Sequence, residues 1–340
     1  MVVKQRATYI LEKIMVKAIR IHEFGGPEVL KWEDIDVAEP GPNELLIRHN
    51  VTGFNFLDIQ VRKGAYPVLP ELPAVLGTEA AGVVELVGKE VENFSVGQRV
   101  AYASTYPGAY SEARLIDSSS VVALPDNIAF EEAAASLLKG MTAEYLVNRC
   151  YSIAAGEVAI VHAAAGGVGL FLCQWLKDKG VTVIGTVGSD EKKITVLSNG
   201  ATYAVNYRKE SFNEVALDIT NGLGVHVVYD SVGPDLYSES INSLRPRGFM
   251  VNFGNSSGPL VPIDTVELNV KGSLFFTKAS MRFYQLNRQE LEDSATSLFN
   301  IIGRGAVTPV IGQRYKLADA AQAHKDVAER LTVGSTILTI

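Results

Sequence analysis

The sequence predicts an α/β protein in two parts, a β-rich first third and a doubly wound parallel sheet, closed by a segment that returns to the first part. Three observations carry this. Short apolar runs cut by Gly and Pro fill the first third. From Glu157 onward buried-type strands alternate with amphipathic helices, the pattern of a parallel sheet covered on both faces. The chain has 340 residues, beyond the ~250–300 at which single cores stop growing.

Residues 1–14 read as an appendage to the fold. Lys4 and Arg6 precede only a short, interrupted apolar stretch, and Glu12 and Lys13 follow it, which is not the build of a signal peptide. Met15 introduces a strand at 16–21. Further strands at 44–51, 81–87 and 98–102 lie between breaks at Gly25-Gly26-Pro27, Pro40-Gly41-Pro42 and Gly97. Residues 130–148, rich in Ala and Leu, read as a helix.

The alternation then runs strand 158–162, helix 167–179, strand 181–186, helix 190–199 and a short strand at Ala204 and Val205. Helix 211–220, strand 225–230, helix 236–244 and strands 249–253 and 273–276 complete it. Helices at 289–302 and 318–330 and a strand at 335–340 end the chain. The division expected is a first domain at 15–138, a sheet domain at 139–279 and a return segment at 280–340, with the active site in the cleft between them.

The motif that carries chemistry is Val158-Ala-Ile-Val-His162 followed by Ala163-Ala-Ala-Gly-Gly-Val-Gly169. A strand feeds a turn of small residues that opens a helix. Ala164, Gly166 and Gly169 take the three small positions of G-x-G-x-x-G, and the helix start offers free N–H groups and a positive dipole end to a pyrophosphate. A plain tight turn is the alternative, but the strand before, the helix after and the further β/α units all agree with a dinucleotide.

The end of the second strand separates NAD from NADP. It reads Gly185-Thr-Val-Gly188-Ser189, with no carboxylate at the tip to accept ribose hydroxyls, and Lys192 and Lys193 follow. A 2′-phosphate would meet repulsion from an acid there and attraction from Ser189 and Lys192. Asp190 and Glu191 begin the next helix, where acids serve as caps. Lys192 read alone could be a solvated helix lysine. Together these features predict NADPH.

The composition excludes several classes. With 47% hydrophobic and 20% charged residues it is that of a soluble globular protein, and the net charge of −7 argues against a large non-specific nucleic-acid surface. No apolar run approaches the ~20 residues of a membrane span, so a cytoplasmic location is expected. Cys150 and Cys173 stand alone, outside metal-ligand or disulfide spacing. His22, His49, His162, His226 and His324 form no ligand pattern, and His162 is expected to pack near the cofactor. Asp58 and Glu79 read as a buried polar pair beneath the cleft.

His162-Ala-Ala-Ala-Gly-Gly-Val-Gly169, Tyr229-Asp-Ser-Val-Gly233, Phe253-Gly-Asn-Ser-Ser-Gly258 and Gly77-Thr-Glu-Ala-Ala-Gly82 together resemble the quinone oxidoreductases, the zeta-crystallin-like branch of the medium-chain dehydrogenase/reductase superfamily. The likeness spans 15–340. It implies a GroES-like β-barrel, a Rossmann domain, and homodimers or homotetramers paired through the Rossmann domains. Zinc-using relatives carry a Cys where Asn55 stands, a His where Thr78 stands, and a second Cys near Lys139-Gly140, so the resemblance implies no metal here.

It also implies cofactor contacts. Gly166, Gly167 and Val168 would meet the pyrophosphate. Gly188, Ser189, Lys192 and Tyr207 would hold the 2′-phosphate end. Ser231, Phe253, Gly254, Asn255 and Ser256 lie at strand ends. Asn55, Lys139, Thr142 and Tyr145 would approach the nicotinamide, and Arg330 would reach back from the return segment. This chain departs from the pattern at Gln60, where an aromatic is common, and at Lys278-Ala279, where Arg-Pro is common.

Without a Lewis acid, an electrophilic acceptor is expected to take hydride directly, with neither metal nor flavin. Asn55 and Tyr66 would border it, and the Tyr66 hydroxyl would aid a carbonyl oxygen as charge develops. Tyr66 could equally be an aromatic packed in a turn. Three functions fit: NADPH:quinone reduction, reduction of an enone or enoyl thioester, and, since zeta-crystallin relatives include such binders, attachment to AU-rich RNA.

Overall fold

A computed structural model describes residues 14–104, 106–260 and 262–340. The segment read as an appendage lies outside them except for Ile14, which already belongs to the first strand. The first part contains β1 (Ile14–Ile21), β2 (Lys31–Val37), β3 (Glu44–Phe54), α1 (Phe56–Arg62), β4 (Ala74–Val75), β5 (Glu79–Val87), β6 (Arg99–Ala103), β7 (Ala113–Asp117) and β8 (Val121–Ala123). Helix α2 (Phe130–Tyr145) leads into the alternation.

That alternation is β9 (Val158–Val161), α3 (Gly167–Asp178), β10 (Thr182–Val187), α4 (Asp190–Ser198), β11 (Tyr203–Asn206), α5 (Phe212–Ile219), β12 (Val225–Asp230), α6 (Pro234–Ser243), β13 (Leu244–Asn252), α7 (Thr265–Val270) and β14 (Phe275–Lys278). The return segment is α8 (Arg288–Gly303), β15 (Ile311–Lys316), α9 (Ala320–Ala328) and β16 (Ser335–Thr339).

The strands sort into three sheets. β9 to β14 form a six-stranded parallel sheet in the order β11-β10-β9-β12-β13-β14, which reverses direction of winding between β9 and β12. That reversal opens a crevice at the strand C-termini, where doubly wound sheets take their ligand. The seven-stranded sheet runs β15-β16-β3-β5-β6-β8 with β7 also on β3. β16 is its closing contribution, pairing antiparallel with β3 from Thr336↔Phe54 to Thr339↔Val51, so the chain end does return to the first part.

Helix α2 joins the two halves. Its Ala-rich face packs on β3 and β5, and other faces meet α3 and α8. Gly140 makes the last contact close: a Cβ there would lie 2.3 Å from Leu298 Cδ1. The largest core cluster accordingly runs from Val51 and Ala81 in the barrel sheet through Leu137 and Met141 to Leu172 and Tyr229. Cys173 belongs to it, with burial pushing its thiol up to about 12.

Several boundaries differ from the sequence reading, for physical reasons. β3 runs three residues past 51 because Gly53 can approach the backbone of α2, where a Cβ would sit 2.2 Å from Ala134 O. β14 starts at Phe275 instead of 273, because Gly272 and Ser273 both take left-handed backbone angles (φ +117 and +54). The expected helix 130–148 ends at Tyr145 and widens into a π turn over Leu146–Cys150. Strand β2 carries four charged residues and mostly faces water, which hides it from an apolar pattern.

Candidate functional site

The glycine turn is pinned on both sides. His162 N–H donates to Tyr229 O at 3.0 Å and Ala164 N–H to Thr186 O at 3.0 Å, so the strands flanking β9 hold the turn. Gly169 lets α3 sit close, since a Cβ there would lie 2.4 Å from Ala163 O. Gly166, Gly167 and Val168 remain half-exposed at the N-terminus of α3; Gly166 N–H donates to Ala163 O at 2.9 Å, and the N–H groups of the first turn after it are left with the positive dipole end at the crevice. Gly334 N–H donates to Ala165 O at 2.9 Å, tying the return segment to the turn.

His162 does not face the crevice. Its ring is buried between Thr186 Oγ1 (2.8 Å) and Ser240 Oγ (2.7 Å), edge-on to Phe212. Burial lowers its pKa, and it serves as a neutral strut inside the sheet domain.

At the tip of β10, Gly188 and Ser189 are half-exposed. The Tyr207 hydroxyl lies 3.1 Å from where a Gly188 Cβ would be. Asp190 is diverted, accepting from Asn206 Nδ2 (2.8 Å) and Lys209 Nζ (2.6 Å), and Lys193 pairs with Glu210, whereas the exposed Glu191 carboxylate stays at the tip and accepts from the Ser189 hydroxyl. Lys192 instead donates to Arg330 O (2.8 Å) and Thr332 O (3.2 Å). Burial, then the neighbouring Arg330 and Arg208 cations, lower its pKa. Gly188, Ser189, Lys192, Tyr207 and Arg330 are thus brought together.

The other end of the crevice is buried and polar. Asn55 caps α1 after β3, and its Nδ2 donates to Glu79 Oε2 at 2.8 Å. Lys139 Nζ donates to the same oxygen at 3.1 Å, while Leu138 N–H donates to Glu79 Oε1 at 2.7 Å. Glu79 is fully enclosed and Lys139 nearly so. The Lys139 stem crosses the glycine turn: a Cβ on Gly167 would lie 2.7 Å from Lys139 Cδ. One lysine therefore links the turn, through Glu79, to Asn55.

Asp58 supports the same cap from below. It accepts from Asn55 N–H (2.9 Å), Thr78 Oγ1 (3.0 Å) and the Tyr110 hydroxyl (2.9 Å). Burial raises its pKa to about 6 against the pull of these donors. Asp58 and Glu79 do not pair with each other. Each holds a different polar group of Asn55.

At the ends of β12 and β13, Ser231 and the run Phe253, Gly254, Asn255 and Ser256 line the crevice. Gly254 is needed there, because a Cβ would come 2.8 Å from Ser231 O. Beneath them Asp230 accepts from the N–H groups of Val232 and Gly233, and from Asn252 Nδ2 at 2.7 Å. Lys278 donates to Asn252 Oδ1, Gly254 O and Asn255 Oδ1, so the residue that departs from the Arg pattern still braces this loop.

Three expected residues stand apart. Thr142 is buried and donates to Leu138 O at 2.7 Å. Tyr145 is 2% exposed and stacks on Tyr284, with ring centroids 4.4 Å apart. Tyr66 is half-buried against the Ile19–Leu338 cluster, and its hydroxyl has no partner among the described residues. Sequence reasoning missed Arg208, Asp230 and Tyr110. Asp230 carried a signal, an acid ending a buried strand just before Ser-Val-Gly, but the Tyr110 contact crosses 52 residues and no local pattern contains it.

The positions that hold zinc ligands in zinc-using relatives do not fit a metal here. Asn55 and Lys139 are both committed to Glu79, and Thr78 to Asp58. Among the described residues no group of three His, Cys, Asp or Glu could hold a metal ion. The glycine turn, by contrast, fits a dinucleotide: two glycines lie where a Cβ would fill the approach, beside an open helix N-terminus.

A barrel domain and a doubly wound domain sharing this crevice define a nicotinamide-dependent oxidoreductase of the medium-chain type. Two family models match the chain, "Alcohol dehydrogenase GroES-like domain" over residues 41–154 and "Zinc-binding dehydrogenase" over residues 167–293. A quinone oxidoreductase of Pseudomonas aeruginosa is 46% identical, over 95% of this chain and 99% of that one. A 2-haloacrylate reductase of a Burkholderia species is 40% identical, over 95% and 99%. The crystal structure of Escherichia coli quinone oxidoreductase complexed with NADPH superposes with a TM-score of 0.92 at 44% identity, covering 95% of this chain and all of that one. The chain belongs to the quinone oxidoreductase family of the medium-chain dehydrogenase/reductase superfamily.

Proposed function

We propose that this protein reduces quinones with NADPH, transferring hydride directly, without metal or flavin. The observation that carries the reading is Lys139, whose stem lies over the cofactor turn and whose ammonium shares Glu79 with Asn55. Cofactor and acceptor would thus be oriented by one hydrogen-bonded unit. The choice of NADPH is supported by Gly188 and Ser189 ending β10 without a carboxylate, by the cations gathered there, and by the NADPH-bound Escherichia coli relative.

When bound, the reduced nicotinamide supplies the hydride, and solvent supplies the proton that completes the hydroquinone. Gly167 and Val168 would bind the pyrophosphate through backbone N–H groups, while Gly166, whose own N–H is held by Ala163 O, leaves room for it beside them. Gly188, Ser189, Lys192, Tyr207 and Arg330 hold the 2′-phosphate. Ser231, residues 253–256, Asn55 and Lys139 would hold the nicotinamide end. Thr142 and Tyr145 support that wall from within α2. Asn55 fixes the acceptor's edge, and Tyr66 offers a hydroxyl to its developing negative charge.

A second reading, reduction of an activated alkene, is favoured by the 2-haloacrylate reductase relative. Both acceptors are electron-poor and need the same hydride donor. Steady-state turnover with NADPH and with NADH against 1,4-benzoquinone, 9,10-phenanthrenequinone and a small enone separates the two. Equal turnover with NADH overturns the cofactor choice, and reaction with enones alone overturns the quinone assignment.

The proposal extends to assembly and location. β14 is one edge of the six-stranded sheet, and Phe275 on it is exposed, which supports homodimers or homotetramers paired through this domain. Sedimentation equilibrium tests this. Among the described residues no helix is long and apolar enough to cross a membrane. The proposed location is the cytoplasm, in keeping with the acidic, evenly charged composition. The domain division adopted is 15–138, 139–279 and 280–340.

A further inference from the structure

The tip of β10 carries one cation more than the Lys192 and Arg330 already placed there. The Arg208 Nε lies 3.8 Å from the position of a Gly188 Cβ, on the same side as the Tyr207 hydroxyl. Lys209, next to it in sequence, and Lys193, on the helix after β10, are both neutralised, by Asp190 and Glu210 respectively. Arg208 and Arg330 have no ion pair among the described residues. Lys192 feels both as like charges, after the larger effect of its own burial.

A single buried amide arranges this. Asn206, at the end of β11, uses Nδ2 to hold the Asp190 carboxylate at 2.8 Å, away from the tip. Its Oδ1 accepts the Arg208 N–H at 3.2 Å, which fixes the backbone from which the guanidinium projects. The acid is turned aside and the base presented by the same side chain. Three mutually repelling cations around a glycine are relieved by a dianion, and a guanidinium offers a planar fork of donors that suits a phosphate.

We infer that Arg208 is a specificity-determining residue that, with Lys192 and Arg330, closes on the 2′-phosphate of the adenosine ribose. This rests on the NADPH reading proposed above. Its contribution is to binding of the phosphorylated cofactor alone, because Arg208 lies at the far end of the crevice from Asn55 and Glu79.

Isothermal titration of the full chain with 2′,5′-ADP and with 5′-AMP, which differ only in the 2′-phosphate, tests it without turnover. Arg208→Gln is expected to weaken 2′,5′-ADP about tenfold, as for loss of one charge-assisted contact. It should leave 5′-AMP within about twofold, and Arg208→Lys should recover part of the loss. Matching melting temperatures for the variants would show that they fold alike. If wild type discriminates between the two nucleotides and Arg208→Gln discriminates equally, the inference about Arg208 is overturned while the NADPH reading stands. If wild type itself does not discriminate, both fall.

Discussion

At the tip of β10 three cations, Lys192, Arg208 and Arg330, crowd together with Asp190 turned away, and the two arginines face solvent. At the other end of the crevice one cation, Lys139, lies buried on one carboxylate, and every oxygen of Glu79 has a donor. The first arrangement stores unmet charge that an anionic ligand can satisfy. The second is complete without a ligand, so its role is to hold shape. One fold thus uses lysine in two ways, and neutralisation decides which.

That contrast breaks most severely at Glu79. Glu79→Gln keeps the outline of the side chain but leaves the Lys139 ammonium enclosed without a counter-charge. Removing one partner of a buried pair costs about 3–5 kcal/mol. Urea denaturation should show that loss, together with a large fall in turnover as Asn55 and Lys139 lose their common anchor. A variant as stable as the wild type would mean that Lys139 escapes to solvent and that the network does not hold the cleft.

Lys192→Ala is the matching change at the exposed end, and its effect should appear in affinity, not in stability. Among the described residues its ammonium touches two backbone carbonyls, Arg330 O and Thr332 O, and no carboxylate. The KM for NADPH is expected to rise about ten- to a hundredfold, with KM for NADH nearly unchanged, since charge-assisted contacts to phosphate are the strong ones. Parallel increases for both cofactors would place Lys192 against the pyrophosphate or the return segment instead.

The two ends also differ in how much of them the sequence discloses. The tip of β10 is local: Gly188, Ser189, Lys192 and Tyr207 fall within 20 residues, and a missing acid after a β-strand can be seen in one dimension. Even there Arg208 escaped notice, because whether it or Lys209 is free depends on where Asp190 turns. The buried end draws on β3, β5, α2 and the segment at Tyr110, and its hydrogen bonds span up to 60 residues. Asn55 and Lys139 were identified only through resemblance. The parallel sheet was legible because buried strands and amphipathic helices alternate along the chain, whereas β2 and β15, which alternate polar and half-buried residues at a sheet edge, carried too little apolar signal.

A smaller effect is expected at Tyr66. Its ring packs on the Ile19–Leu338 cluster, and its hydroxyl is free of protein partners among the described residues. Tyr66→Phe should therefore leave the melting temperature unchanged. If the hydroxyl meets an acceptor oxygen as charge develops, kcat falls up to about tenfold, the worth of one hydrogen bond. Unchanged turnover on both quinones and enones would remove Tyr66 from the reaction and leave it as packing.

The smallest effect lies beneath the buried end and follows from pH. Burial raises the Asp58 carboxyl from 3.8 to about 6, so the folded state holds its proton more tightly than the unfolded one. The stability this contributes is fully present below pH 3.8 and is lost as pH rises through about 6. His49 acts oppositely: burial lowers it from 6.5 to about 3, so its contribution is present above pH 6.5 and lost as pH falls through about 3. The whole protein's profile mixes the two. Comparing wild type with Asp58→Asn isolates the first, because His49 is common to both. The stability advantage of wild type over Asp58→Asn, measured by urea midpoints, should be larger near pH 5 than near pH 7.5, where the buried carboxylate is charged. An advantage that grows with pH would mean that the three donors from Asn55, Thr78 and Tyr110 outweigh desolvation, and that Asp58 is held as an anion like Glu79.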